Sequence, residues 1–141
     1  MKVRKARLDE AGILLGMEME EIGTFSLKQL SSFLTSGAVA LVAEEEGDLK
    51  GFVLALINGR EDARVYILTV RQDARRRGIG MLLMGALEAE LRRLGIRRCH
   101  LEVRASNMAA RKLYRKLWYE EVGLLKNYYE GEDGMKMAKG L

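Results

Sequence analysis

The chain reads as short apolar runs alternating with amphipathic stretches. Residues 3–8 have the mixed apolar and basic pattern of a first strand, and Asp9 is a candidate cap for a helix reaching about Glu21, with Ile13, Leu14 and Met17 on its inner stripe. After a break at Gly23, Ser26 is the next candidate cap, opening a helix through Leu27, Leu30, Phe33 and Leu34 that stops at Gly37. The runs at 38–45 and 51–57, joined by the turn segment 46–50, predict a hairpin; a second turn at 58–62 leads into a strand over 64–70. Next comes a helix to Gly95, on which Met81, Leu82, Leu83, Ala86, Leu87, Leu91 and Leu94 recur at helical spacing and Glu88, Glu90, Arg92 and Arg93 take the other side. A strand over 97–104, a helix over 107–118 and closing strands at 120–125 and 135–138, around a loop at 126–134, complete the order β-α-α-β-β-β-α-β-α-β-β. The crossover from Val70 through the long helix to Arg98 predicts one parallel pair in a mostly antiparallel sheet of about seven strands flanked by four helices. The expectation is a single α/β (α+β) domain over residues 1–141.

Composition narrows the chemistry. The apolar fraction is 48% and the charged fraction 31%, which fits a folded chain. No apolar run reaches the roughly 20 residues that cross a bilayer, and the first ten residues lack the apolar core of a signal peptide, so the expected compartment is the cytoplasm and no membrane partner is expected. One Cys and one His cannot supply a common zinc set, so no metal is expected. In the strand over 98–103, Cys99 and His100 are adjacent and point to opposite faces, which rules out a Cys-His nucleophile pair. The net charge is +4, with Arg71, Arg75, Arg76, Arg77, Arg92, Arg93, Arg97 and Arg98 in the central third. Such a patch attracts a phosphorylated small molecule or a nucleic acid.

The segment Arg75, Arg76, Arg77, Gly78, Ile79, Gly80, Met81 stands between a strand and a helix. There the free N–H groups and positive dipole end of the helix favour a phosphate, and glycine lets it approach the backbone. Leu83 breaks a G-x-G-x-x-G dinucleotide fingerprint, and no Gly-Lys-Ser/Thr follows, so both common nucleotide loops are excluded. The pattern Arg75-x-x-Gly78-x-Gly80 after an apolar strand resembles the pyrophosphate motif of the acetyl-CoA-dependent N-acetyltransferase (GNAT) superfamily. The run from Leu101 to Asn107 (LEVRASN), followed by Ala109, Ala110, Leu113 and Tyr114, and the NYY triplet ending in Tyr128 and Tyr129 are similar to the ribosomal-protein alanine N-acetyltransferases (RimI type) and the archaeal N-terminal acetyltransferases. The resemblance covers most of the chain from about residue 38 onward.

That resemblance implies acetyl-CoA as cosubstrate. Leu68, Thr69 and Val70 would offer backbone groups to its pantetheine arm, and Arg76 to Met81 would hold the pyrophosphate with Arg75 at the first motif position. Asn107 would bond the amide arm. It further implies Glu102 as general base, Tyr114 as general acid, Tyr128 and Tyr129 beside the acceptor, and Glu18, Glu21 and Phe25 as candidate walls. Read from spacing alone, Glu102 is equally a surface carboxylate paired with Arg98 or Arg104, and Tyr114 a packed core tyrosine.

The implied reaction is direct attack of a free amine on the thioester. A protein α-amine titrates near 8 and a lysine near 10.4, so deprotonating lysine costs about 3 to 4 kcal/mol more at neutral pH; a lone glutamate suits the easier substrate. The expected acceptor is a protein or peptide N-terminus, a ribosomal protein among the candidates, and the expected state a monomer or homodimer. Competing readings are acetylation of a small amine such as a polyamine or amino-sugar and, remotely, a basic nucleic-acid-binding module, for which no motif is present. Two positions depart from the family pattern: Gln72 replaces a proline, and Trp118 stands where a glycine commonly ends the helix.

Overall fold

Tight turns and bulges set the architecture. Glu46 and Gly47 both take positive φ (52° and 84°), the two-residue geometry whose twist matches antiparallel strands; they join β2 (Val39–Glu45) to β3 (Asp48–Asn58), and a turn at 59–61 leads into β4 (Asp62–Val70). With β1 (Lys2–Lys5), β5 (Arg98–Arg104), β6 (Glu120–Tyr129) and β7 (Glu132–Gly140), these form one seven-stranded sheet in the order β1-β2-β3-β4-β5-β7-β6. The computed structural model describes residues 1–21 and 26–141. Its helices are α1 (Ala11–Glu21), α2 (Leu27–Thr35), α3 (Ile79–Arg93) and α4 (Met108–Lys116). The element order is the expected one. Every pairing is antiparallel except β4 with β5.

That parallel pair is short. Its register runs only through Asp62↔Arg98, Ala63↔Cys99 and Arg64↔His100. Beyond Arg64 no described strand is registered against this side of β4, although β3 pairs with its other side as far as Val70. The break coincides with a bulge: Leu54 pairs with Ile67 and Ala55 with Val65, so Tyr66 is an extra residue in β4, and such a residue bends its strand. From Tyr66 onward β4 and β5 therefore part, leaving a slot between their carboxyl ends.

Two apolar layers cover the sheet. On one face Ala63, Val65, Cys99, Leu101 and Val103 pack with Leu83, Leu87 and Leu91 of α3 and Tyr114 of α4. On the other, Phe52, Leu54 and Ile67 pack with Ala11, Leu14 and Met17 of α1 and Leu30 of α2. The bulge moves β4 between the layers, since Val65 belongs to the first and Ile67 to the second.

Several expectations are corrected. The first strand ends at Lys5, and Leu8–Glu10 is a 3-10 turn. Asp9 does not cap: the Arg7 N–H donates to Glu10 (2.8 Å), whose carboxyl is held down at about 2, chiefly by hydrogen bonds from Arg4. Ile13 is exposed. On α3 the buried stripe is Ile79, Leu83, Met84, Leu87, Glu88 and Leu91, while Met81, Leu82 and Leu94 face out. Glu88 is buried because it accepts from Tyr119 Oη (2.9 Å) and Lys139 Nζ (2.7 Å), partners supplied from far along the chain. The loop expected at 126–134 is mostly strand, the closing hairpin turning only between Tyr129 and Glu132. Ser26 caps α2 as expected, accepting from Gln29 N–H (3.1 Å).

Trp118 keeps the glycine geometry. Its φ is +71°, its N–H reaches the Arg115 carbonyl (3.0 Å), and the Tyr119 N–H reaches that of Tyr114 (2.9 Å). This is the bonding that ends α3 at Gly95, where Gly95 and Ile96 bond back to Arg92 and Leu91. The tryptophan has not displaced the turn, so Tyr114 keeps its place. It bears left-handed strain with its side chain 80% exposed, so little burial offsets the cost. Trp118→Gly is expected to raise unfolding stability by about 1 kcal/mol, measured by urea denaturation.

Candidate active site

At the head of α3, Arg76 (φ +64°) and Gly78 (φ +78°) both adopt left-handed conformations, and Gly78 is the N-cap with no side-chain acceptor. The first intrahelical bond is Leu82 N–H to the Gly78 carbonyl (3.0 Å). The N–H groups of Ile79, Gly80 and Met81 consequently have no acceptor among the described residues, as at any helix start without a capping side chain. The arginines divide the work: Arg75 Nε braces the Val70 carbonyl (3.1 Å), and Arg77 is paired with Glu45 (2.6 Å). Of the backbone groups expected to meet a pantetheine arm, the Val70 carbonyl is thus engaged. Thr69 is buried against β3, where a Cβ on Gly51 would come within 2.7 Å of its carbonyl oxygen.

Alternation on β5 works as the sequence suggests. Cys99, Leu101 and Val103 enter the α3/α4 layer, and His100 and Glu102 take the other face. His100 pairs with Asp62 (3.1 Å). Glu102 is paired with neither Arg98 nor Arg104. Its Oε1 accepts from Arg64 Nε (2.6 Å) and Tyr128 Oη (3.2 Å), and Arg64 Nη2 also lies 2.6 Å from it. Sequence reasoning missed Arg64, although its alternate placement with Tyr66 on a strand predicted beside that of Glu102 was the available signal. The side chain of Glu102 is 10% exposed.

Tyr114 lies in the opposite layer, 7% exposed, its ring edge-on to Tyr119 at 5.7 Å. Its hydroxyl has no hydrogen-bond partner among the described residues, and burial pushes its pKa well above the usual tyrosine range. Cys99 is likewise pushed up, to about 11, chiefly by burial; it is a neutral thiol near pH 7 and no nucleophile. Asn107 caps α4, its Oδ1 accepting from Ala110 N–H (3.1 Å), which leaves its amide NH2 for another acceptor. Tyr128 and Tyr129 stand edge-to-face at 5.0 Å near the end of β6, and Arg104 lies 4.5 Å over the Tyr129 ring. Burial, then the charge of Glu102, raises the Tyr128 phenol. Phe25 and the side chains of Glu18 and Glu21 lie outside the described residues. A groove beside α1, lined among others by Arg4, Glu10, Met17 and Arg71, contains none of the expected site residues.

The profile of the Acetyltransferase (GNAT) family matches residues 9–118. The chain belongs to that family. GNAT enzymes are acyltransferases that use acetyl-CoA. Among its relatives is the [ribosomal protein bS18]-alanine N-acetyltransferase of Escherichia coli K12, 38% identical over 78 residues, covering 55% of this chain and 53% of the relative. By that sequence match the chain spans about half the length of the curated relative. An N-alpha-acetyltransferase of Sulfurisphaera tokodaii is 33% identical over 117 residues, with 74% and 70% covered. The crystal structure of the ribosomal-protein-S18-alanine N-acetyltransferase from Escherichia coli superposes with a TM-score of 0.91 at 26% identity, over 99% of this chain and 92% of that one.

The hairpin that carries the two tyrosines depends on Gly134, where a Cβ would stand 3.1 Å from atoms of both rings. Gly134→Ala is expected to destabilise the fold by about 1 to 2 kcal/mol with acetyl-CoA affinity unchanged, since α3 is untouched; denaturation and calorimetry check the two halves.

Proposed function

We propose that this GNAT enzyme acetylates the N-terminal α-amine of a protein or peptide, with Glu102 as general base and Tyr114 as general acid. The observation that carries the proposal is their placement. Glu102 lies on the α1/α2 face and Tyr114 within the α3/α4 layer, on opposite sides of the sheet, and β4 and β5 part between them. A reagent lying in that slot can meet an amine on one side and release a thiol on the other.

The residues then divide the proton traffic. Glu102 presents a carboxylate whose Oε2 has no partner among the described residues and can take a proton from the attacking amine. The N–C bond forms and the C–S bond breaks. Tyr114 gives its phenolic proton to the departing sulfur. A phenol raised by burial is a reluctant donor to a thiolate solvated in water, but the same dry surroundings raise the thiolate's proton affinity, so the two can be matched. The N–H groups at 79–81, with Arg76, would hold the pyrophosphate; Leu68, Thr69 and the Asn107 amide would meet the arm. The proposed acceptor class rests on the likeness to enzymes named for protein α-amine acetylation and on the easier deprotonation of an α-amine. Tyr128 and Tyr129 would border its entering end.

Glu102→Gln is expected to lower kcat for an Ala- or Ser-initiated peptide by about a hundredfold or more while leaving acetyl-CoA affinity within a factor of two. Tyr114→Phe should likewise lower kcat without weakening cosubstrate binding. Transfer confined to polyamines or amino-sugars, with Nα-free peptides inert in a mass-spectrometric assay, would contradict the proposed acceptor.

A further inference from the structure

The guanidinium of Arg64 is where the acceptor face converges. Arg64 belongs to the last registered pair of β4 and β5, opposite His100, two residues before the bulged Tyr66. Its Nε donates to Glu102 Oε1 at 2.6 Å, with Nη2 2.6 Å from the same oxygen. That Nη2 also donates to Tyr128 Oη (3.2 Å), whose hydroxyl donates in turn to Oε1 (3.2 Å). Behind the guanidinium, Cζ lies 4.9 Å above the Tyr66 ring, and Tyr66 packs at 5.5 Å on Phe33 of α2.

Two consequences follow. First, Oε1 is held by donors from β4 and β6 while Oε2 has none among the described residues, so the carboxylate cannot turn without breaking charge-assisted bonds. Only Oε2 remains to receive a proton. Second, a permanent cation touches the base. Arg64 repels an approaching ammonium and so offsets the attraction that the Glu102 carboxylate alone would exert on a charged acceptor, while a neutral amine feels neither charge strongly.

We propose that Arg64 is a positioning and specificity residue of the transfer reaction: it fixes Glu102 with Oε2 as the working oxygen, and its charge favours weakly basic α-amines over lysine side chains. The inference rests on the reading of Glu102 as base. It assigns Arg64 no proton transfer. Tyr66 and Phe33 hold the guanidinium plane from behind, so the setting of the base is tied to α2. Lysine at position 64 would keep the charge but lose the fork that grips one oxygen through two nitrogens.

The test compares Arg64→Met, Arg64→Lys and Glu102→Gln, each verified as folded by circular dichroism. For each, acetyl-CoA affinity is measured by calorimetry, and kcat/KM from pH 6 to 9 for an Nα-free peptide and for an Nα-blocked peptide carrying one lysine. Arg64→Met is expected to bind acetyl-CoA as the parent does and to lose roughly ten- to a hundredfold in kcat. Its preference for the α-amine should shrink, because a charged acceptor near Glu102 no longer meets the Arg64 cation. Arg64→Lys should restore the preference but not the full kcat. A kcat and α-to-lysine preference unchanged in Arg64→Met, with Glu102→Gln slow, would overturn the role of Arg64 alone. Full activity in Glu102→Gln would remove the base itself and this inference with it.

Discussion

The parting of β4 from β5 is the constraint on which the rest of the site depends. Parallel strands normally stay paired along their length, because an opened edge leaves backbone groups without partners. Here the pairing lapses after Arg64 and His100, where the extra residue Tyr66 bends β4 away. An edge opened inside a folded sheet is stable only if something satisfies it, and an extended amide-bearing arm does so as an added strand would. The left-handed turn at Arg76 and Gly78 then leads into the head of α3, whose N–H groups at 79–81 have no acceptor among the described residues and are the proposed seat of the phosphates. Slot and anion site are consequences of one topology: β4 leads into α3, and α3 leads back to β5.

The same parting would let the proposed base, Glu102, and the proposed acid, Tyr114, work from opposite faces. Strand alternation puts Glu102 among polar partners and Leu101 and Val103 in the core beside Tyr114. The Glu102 side chain keeps a small exposed fraction among its polar partners, and the Tyr114 phenol is dry. Their surroundings differ: the Glu102 carboxyl is braced by Arg64, and the buried Tyr114 phenol stays protonated. The buried Glu88, bonded by Tyr119 and Lys139, ties α3 to β7 and to the chain that follows α4, so the layer holding Tyr114 is anchored by charge as well as by packing.

How far the sequence revealed this varies with the physics involved. The element order, the parallel crossover, the Gly95 stop and the two faces of β5 were legible because each follows from local periodicity or from a turn residue. The bulge at Tyr66 was not, since nothing local distinguishes an extra residue from its neighbours in an apolar strand. The buried Glu88 was misread because its partners lie 31 and 51 residues away in sequence. Asp9 has the chemistry of a cap, but it falls inside the 3-10 turn at Leu8–Glu10, whose capping position is Arg7. The Arg64 partner of Glu102 required the register between β4 and β5, and sequence spacing offered Arg98 and Arg104 instead. Trp118 is the reverse case: the position demanded left-handed backbone, and the chain adopts it with tryptophan.

The central claim, that the slot between β4 and β5 receives the cosubstrate, is tested most directly by amide hydrogen exchange with and without acetyl-CoA. The account predicts slowed exchange confined mainly to residues 66–70 on β4 and to 78–82 at the head of α3, with β1 to β3 little changed. Binding without protection at 66–70, or with protection centred on the groove beside α1, would contradict it.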